Sequence, residues 1–301
     1  MKNDNYIEKI ACDIGSMAIQ AMMYEVSCFP SPGLVSPVSN GAHRDMNFYT
    51  FIDSTCVLSS YFVKFAKEGF EKVSCKELFK NIRKIGVEAE KDMFLKTNGV
   101  NTHKGMIFLM GISCAAIGKV INDGKTFETV RETIMEMTSG IVENELENID
   151  LSKEMTYGEK IYLDYNIKGI KGEVEAGMPI IFEFSLDFFN ECKDLKINDR
   201  LVHTLIGIMQ ICEDTNIIHR HSVEVLREVQ EKAKDIIKAK GMKSNNGKEK
   251  INKLSDEFIE KNISPGGSAD ILGVTVFMHL IEKYMNWNLS SRVQSTKDRV
   301  Q

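Results

Sequence analysis

The chain has 301 residues, 43% of them apolar, with 43 acidic against 38 basic side chains and a net charge of −5. That length allows one large domain or two small ones, and the apolar share suffices for a full core. The mildly acidic balance excludes a general nucleic-acid binder, so any polyanionic ligand must meet a local basic cluster.

Helical periodicity dominates from the start. Ile7, Ile10, Ala11, Ile14, Ala18, Ala21 and Met22 form one apolar stripe that ends at a proline-rich turn from Phe29. Further helices are predicted over 48–65, 75–95, 103–121 and 127–146, the 103–121 segment being apolar almost all round, as a buried central helix is. The longest apolar run, Met106 to Ile117, is too short and interrupted for a membrane span. Residues 148–178 break the pattern with Gly158, Gly169, Gly172 and Gly177 around an alternating piece, IYLDYNIKGI. A Gly-rich loop or short hairpin near 150–178 is expected there. Helices resume near 181–192, 198–212, 222–239, 249–261 and 267–286, with GMKSNNG (241–247) as an exposed flexible connector and a polar, frayed tail after Trp287. With no repeat and no linker visible, the expectation is an all-α fold of about ten helices in a single domain over 1–301. Seven scattered cysteines without a C-x-x-C pair and no signal peptide read as reduced, mostly buried thiols in a cytoplasmic protein.

Four short stretches hold most of the chemistry-capable side chains: PGLVSPVSNGAHRDM, NGVNTHKG, DTNIIHRHS and SPGGSAD. Costly polar groups set beside core helices need partners, so such stretches usually converge. In NGAHRDM, Arg44 offers a planar donor fork for phosphate, with His43 beside it, and Asp45 suits Mg²⁺ or a proton. In NGVNTHKG, Thr102 can cap a helix, leaving Asn101, His103 and Lys104 to explain; Lys104 would be expensive to bury unpaired. DTNIIHRHS brings Asp214, Asn216, His219 and Arg220. In SPGGSAD, Ser264 and Pro265 start a helix, and Gly266, Gly267 and Ser268 present outward N–H groups to a phosphate or nucleotide, with Asp270 in the first turn. The bland alternatives are a plain helix cap at 264–270, a surface Arg44–Asp45 pair and a structural histidine at 103. Glu88 and Glu90 lie on different helix faces, so one of them can reach a shared site, and Lys171 and Glu173 sit in the Gly-rich segment as a lid or clamp. Gly118-x5-Gly124-Lys125-Thr126 is no phosphate loop, because its spacing is one residue too long and it follows a helix. The inventory suits Mg²⁺-assisted handling of a polyphosphate.

Taken together the motifs resemble the triphosphoribosyl-dephospho-CoA synthase family. The resemblance runs from about Glu25 to Leu280 and is carried by PSPGLV (30–35), NGAHRDM, AEKDM (89–93), TNGVNTHKG (97–105), GIKGE with GMP, DTN-x-x-HR (214–220) and SPGGSADIL. Ser31, Ser36, Lys171 and His221-Ser222 depart from the family pattern, which bears on phosphate contacts from the first loop. The resemblance implies an enzyme that joins C1′ of the ATP ribose to the 2′-hydroxyl of 3′-dephospho-CoA and releases adenine. The product is the prosthetic-group precursor of citrate lyase or, in a sister branch, malonate decarboxylase. It also implies a downstream holo-enzyme synthase and an acyl carrier subunit as partners, with neither nucleic acid nor membrane. Under that reading Arg44, Lys104, Lys171, Arg220 and the 264–268 backbone meet phosphates. Asp45, Glu90 and Asp214 serve Mg²⁺ or charge stabilisation, and Glu173 or His103 accepts the hydroxyl proton. Two rival readings are a metal-dependent phosphohydrolase, which lacks its adjacent His-Asp pair here, and a non-catalytic nucleotide-sensing or assembly protein.

Overall fold

The computed structural model describes residues 4–149 and 155–297, with side chains as far as Trp287. Among the described residues all regular structure is helical, and the thirteen helices follow local signals closely. Helix α1 (Asp4–Ser27) buries its predicted stripe, with Ile14, Ala18, Ala21 and Met22 fully covered. Helix α2 (Phe48–Glu68) opens with a capping box between Asn47 and Thr50, and α3 (Cys75–Lys96) is capped by Ser74. Helix α4 (Lys104–Asn122) is the central pillar, packed on α1, α2, α3, α5 and α13.

Helices α2 and α4 approach until their backbones touch. A Cβ on Gly118 would lie 2.2 Å from the Ala66 carbonyl oxygen, and one on Gly69 would lie 2.3 Å from that of Ala115. At 19 residues α4 is long and apolar enough to cross a membrane, contrary to the expectation from its short, interrupted apolar run, yet 72% of that stretch is buried inside the protein. Its apolar surface is satisfied by neighbouring helices.

Three expectations change. The helix predicted over 127–146 is broken into α5 (Val130–Thr138) and a wider π-turn at Glu143–Glu147, separated at Gly140 with φ +85°. The break is held from outside, because Glu175 accepts the N–H groups of Gly140 and Val142 at 2.8 and 3.3 Å. In place of a hairpin, the described part of 148–178 forms α6 (Tyr157–Tyr165) and α7 (Gly169–Glu175), while residues 150–154 lie outside the described part. The Thr156–Glu159 capping box starts α6 and Asn166, in the left-handed region, stops it, and these local bonds outweigh a brief alternation. The 241–247 segment is no flexible connector: Gly241, Met242 and Gly247 are buried, and the Met242 N–H donates to His203 Nδ1.

After a π-turn at 180–185 come α8 (Leu186–Asn190), α9 (Ile197–Met209), α10 (Thr215–Arg220), α11 (Val223–Lys238), α12 (Asn245–Glu260) and α13 (Gly266–Lys297). The α13 backbone thus continues past Trp287, and the last four residues of the tail lie outside the described part. Helix α13 packs along α1, α4, α8 and α9. Its first turn is brought against the start of α10, the loop before α2 and the start of α4.

Candidate active site

The first turn of α13 is held by groups from distant parts of the chain. His43 Nε2 lies 2.9 Å from Ser264 Oγ, 221 positions away in sequence, and Arg220 donates to His43 Nδ1 at 3.2 Å and to the Ala42 carbonyl at 3.3 Å. Arg220 is always a donor, so Nδ1 must be the accepting nitrogen and Nε2–H donates to Ser264. The imidazole is therefore neutral, and burial and the Arg220 charge hold it down to about 4 against the opposing pull of Asp45 at 3.8 Å.

Asp214, 1% exposed, ends the loop before α10 and caps two helices. Its Oδ1 accepts the Asn216 N–H at 3.1 Å, and its Oδ2 accepts the Ser268 N–H and hydroxyl at 2.7 and 3.0 Å. The Gly267 N–H also points to it, and these donors counter the rise in pKa that burial imposes. The sequence suggested free outward amides at 266–268; in the structure this carboxylate takes two of them, so the helix start cannot offer them to phosphate without displacing Asp214.

Beside Asp214 the carboxyl groups gather. Asp270, partly buried, sits against the α4 start, where a Cβ on Gly105 would fall 2.1 Å from its Oδ2. Burial, then the Asp214 charge, raises Asp270 well above the usual carboxylate range. Glu25 on α1 lies behind it, 6% exposed, and is likewise raised by burial and then by Asp270. Sequence reading passed over Glu25, although it falls three and four positions after Met22 and Ala21 on an otherwise apolar stripe, and a carboxyl there is the signal that could have found it. The Cys212 thiol sits among Asp214, Glu173 and Asp270, and burial followed by Asp214 pushes it up.

A cavity of about 600 Å³ opens next to this cluster, between α7, the start of the 180–185 turn, residues 211–215 and the first turns of α13. Glu173 is in its wall. One oxygen accepts the Ile180 N–H at 2.8 Å, and burial, outweighing that bond, raises the carboxyl to about 7.

Several expected site residues lie further out. Lys104 is exposed and pairs with Glu90 at 2.7 Å, so neither is stranded, and Asn101 accepts the Lys104 N–H. Lys171 turns away to Glu145 at 3.1 Å and Glu159 at 3.9 Å. His103 is 2% exposed, bonds Ser54 Oγ through Nδ1 at 2.7 Å, and is lowered by burial to about 3, while its Nε2 is buried without a partner among the described residues. It is packed too deeply to meet a substrate in this conformation. Arg44 and Asp45 are exposed on the loop before α2, and Arg44 makes no ion pair among the described residues. In that first loop Ser31 and Ser36 are buried, with Ser31 Oγ unpaired among the described residues. His219 packs against the Tyr157 ring at a tilt, and His221 bonds the Asn262 carbonyl. Asp45, Glu90 and Asp214 do not close on one point, and among the described residues no three His, Cys, Asp or Glu side chains are placed to hold a metal ion. The expected Mg²⁺ cage is therefore not built by the protein alone.

Comparison with known proteins agrees with the motif pattern. The family model described as ATP:dephospho-CoA triphosphoribosyl transferase matches residues 11–289. A probable 2-(5''-triphosphoribosyl)-3'-dephosphocoenzyme-A synthase of Streptococcus mutans is 34% identical over 92% of this chain and 98% of its own. Proteins of the same description from Lactiplantibacillus plantarum and Vibrio cholerae are 39% and 36% identical, each over 87% of this chain and over 95% and 86% of their own. No solved structure shows a significant match.

Proposed function

The chain belongs to the ATP:dephospho-CoA triphosphoribosyl transferase family, and from that premise we propose how its site carries out the transfer. The reaction joins C1′ of the ATP ribose to the 2′-hydroxyl of 3′-dephospho-CoA and releases adenine. It needs a hold on phosphate, a carboxylate near a sugar carbon that turns cationic, and a group that exchanges a proton near neutral pH. The observation that carries the reading is the meeting of Asp214, Asp270 and Glu173 around Cys212 at the wall of a nucleotide-sized cavity, with the guanidinium of Arg220 at the other end of α10. Phosphates are handles here and not the reacting centre, so no P-loop or kinase machinery is required.

Of the four candidate cations, Arg44 and Arg220 have no carboxylate partner among the described residues, which favours them for the triphosphate over Lys104 and Lys171. Mg²⁺ enters as the counter-ion of ATP, held chiefly by phosphate oxygens, as this cation commonly is. Asp214, whose charged form is held by the Ser268, Gly267 and Asn216 N–H groups, supplies the negative field beside the ribose, with the Asp270 carboxyl packed against it. Glu173, poised near 7, is the proton-exchanging group in preference to the sealed His103. The product serves as precursor of the citrate lyase prosthetic group or its malonate decarboxylase counterpart, with a holo-enzyme synthase and an acyl carrier subunit downstream in the cytoplasm.

The test incubates pure protein with ATP, Mg²⁺ and dephospho-CoA and measures free adenine. Adenine that appears only with dephospho-CoA supports the transfer; phosphate release, or intact ATP after long exposure, overturns it.

A further inference from the structure

The cavity beside Glu173 differs in character from the Arg220 flank of the site. Its walls are Ile170, Ile180, Ile211, Ile271 and the Cys212 thiol, and its ionic lining is Glu173, Glu175 and Glu213 against Lys168 alone. Such a lining repels a triphosphate, while its apolar walls with a few polar groups accept a neutral heterocycle. Helix α10 connects the two regions. Its first residue Thr215, with Glu213 just before it, lines the cavity, and its C-terminal Arg220 meets His43. Thr215 and Arg220 are five residues apart, which at about 1.5 Å of rise each separates their backbones by about 7.5 Å along the helix. That distance is of the order that parts base from phosphates in an extended nucleotide, and the Asp214–Asp270 cluster lies at the cavity end of the span, beside the place the sugar would take. Glu173 adds directionality: Oε1 is occupied by the Ile180 N–H, while Oε2 has no hydrogen-bond partner among the described residues.

We propose that this cavity is the subsite for the adenine of ATP, with Glu173 on the purine edge, where it donates the proton that the base takes as it leaves. This rests on the transferase reading above. In the step, the C1′–N9 bond breaks with its electron pair going to the purine, and the Glu173 proton moves to a purine ring nitrogen. The acceptor hydroxyl oxygen bonds to C1′ and releases its proton to water, from which Glu173 is reprotonated. One proton is gained by adenine and one lost by the hydroxyl, so no further reactant is needed. A carboxyl raised to about 7 carries such a proton in a useful fraction of molecules at neutral pH.

The experiment compares wild type with Glu173→Gln on ATP and on N7-methylated ATP, whose positively charged purine departs without protonation. The variant is expected to lose roughly 10²–10⁴-fold in kcat/KM on ATP and less than about tenfold on the methylated nucleotide. Equal losses on both substrates would sink the donor role, because a merely misfolded or mispositioned site fails alike on each. In the wild type, free adenine should inhibit competitively against ATP; competition against dephospho-CoA instead would assign the cavity to the acceptor and overturn the proposal. Absence of any wild-type transfer defeats the functional reading itself, whereas wild-type transfer with an unimpaired Glu173→Gln variant defeats this inference alone.

Discussion

His43 illustrates how a single side chain ties chemistry to fold. Its ring must be neutral to accept from Arg220 and donate to Ser264, and burial enforces that state. In the unfolded chain the ring titrates at its ordinary value of 6.5, and in the fold at about 4. The unfolded chain therefore takes up the proton first. The stabilisation is whole above pH 6.5 and is lost as pH falls toward 4. Relative to His43→Gln, wild type should lose stability over that window by at most about 3 kcal/mol, and by less because the ring edge still meets solvent. Urea midpoints of both proteins at pH 7 and pH 4.5 measure it, and an unchanged difference would show that the ring is charged in the fold. Asp214 and Lys104 carry the same lesson about legibility. Both were visible in sequence as residues that need a partner, yet Asp214 found backbone amides and Lys104 found Glu90 on the neighbouring helix.

At the scale of elements, glycine positions separate stability from function. Gly118→Ala forces α2 and α4 apart, because the new Cβ would meet a rigid carbonyl at 2.2 Å. It should cost about 1–3 kcal/mol while leaving the activity per folded molecule unchanged. Gly105→Ala meets only the end of the Asp270 side chain, at 2.1 Å, and that end can swing. Its urea midpoint should move little, and kcat/KM for the transfer should fall tenfold or more as Asp270 is displaced. Reversal of the pattern, with Gly105→Ala unstable and fully active, would remove Asp270 from the chemistry. Helix boundaries were largely readable because caps are local: Asn47, Ser74 and Ser222 each accept a helix-start N–H from their own segment. The 127–146 segment was not, since the Glu175 carboxylate that breaks it lies over thirty positions away.

Across the whole molecule, the site joins the loop after α1, the α4 start, α7, α10 and the α13 start, so it exists only when both ends of the chain are packed together. We expect one cooperative unfolding transition, identical by far-UV circular dichroism and intrinsic fluorescence. ATP at 100 times its Kd should stabilise it by about 2.7 kcal/mol, raising Tm without splitting the transition. Two transitions, with ATP shifting one of them, would show that the site lies between separately folding units.

Composition and periodicity by themselves determined an all-helical chain with a buried central helix, and the ordered motifs pointed to the family. Those features follow from apolar spacing and capping within a few residues of each other. Which polar residues share a site was decided by tertiary packing alone. His43 and Ser264, or Glu173 and Asp214, become neighbours through helix docking, and no local pattern encodes a distance across 221 positions. The same packing sealed His103, paired Lys171 with Glu145 and buried Glu25, because the cost of desolvating a charge depends on what surrounds it in the folded state.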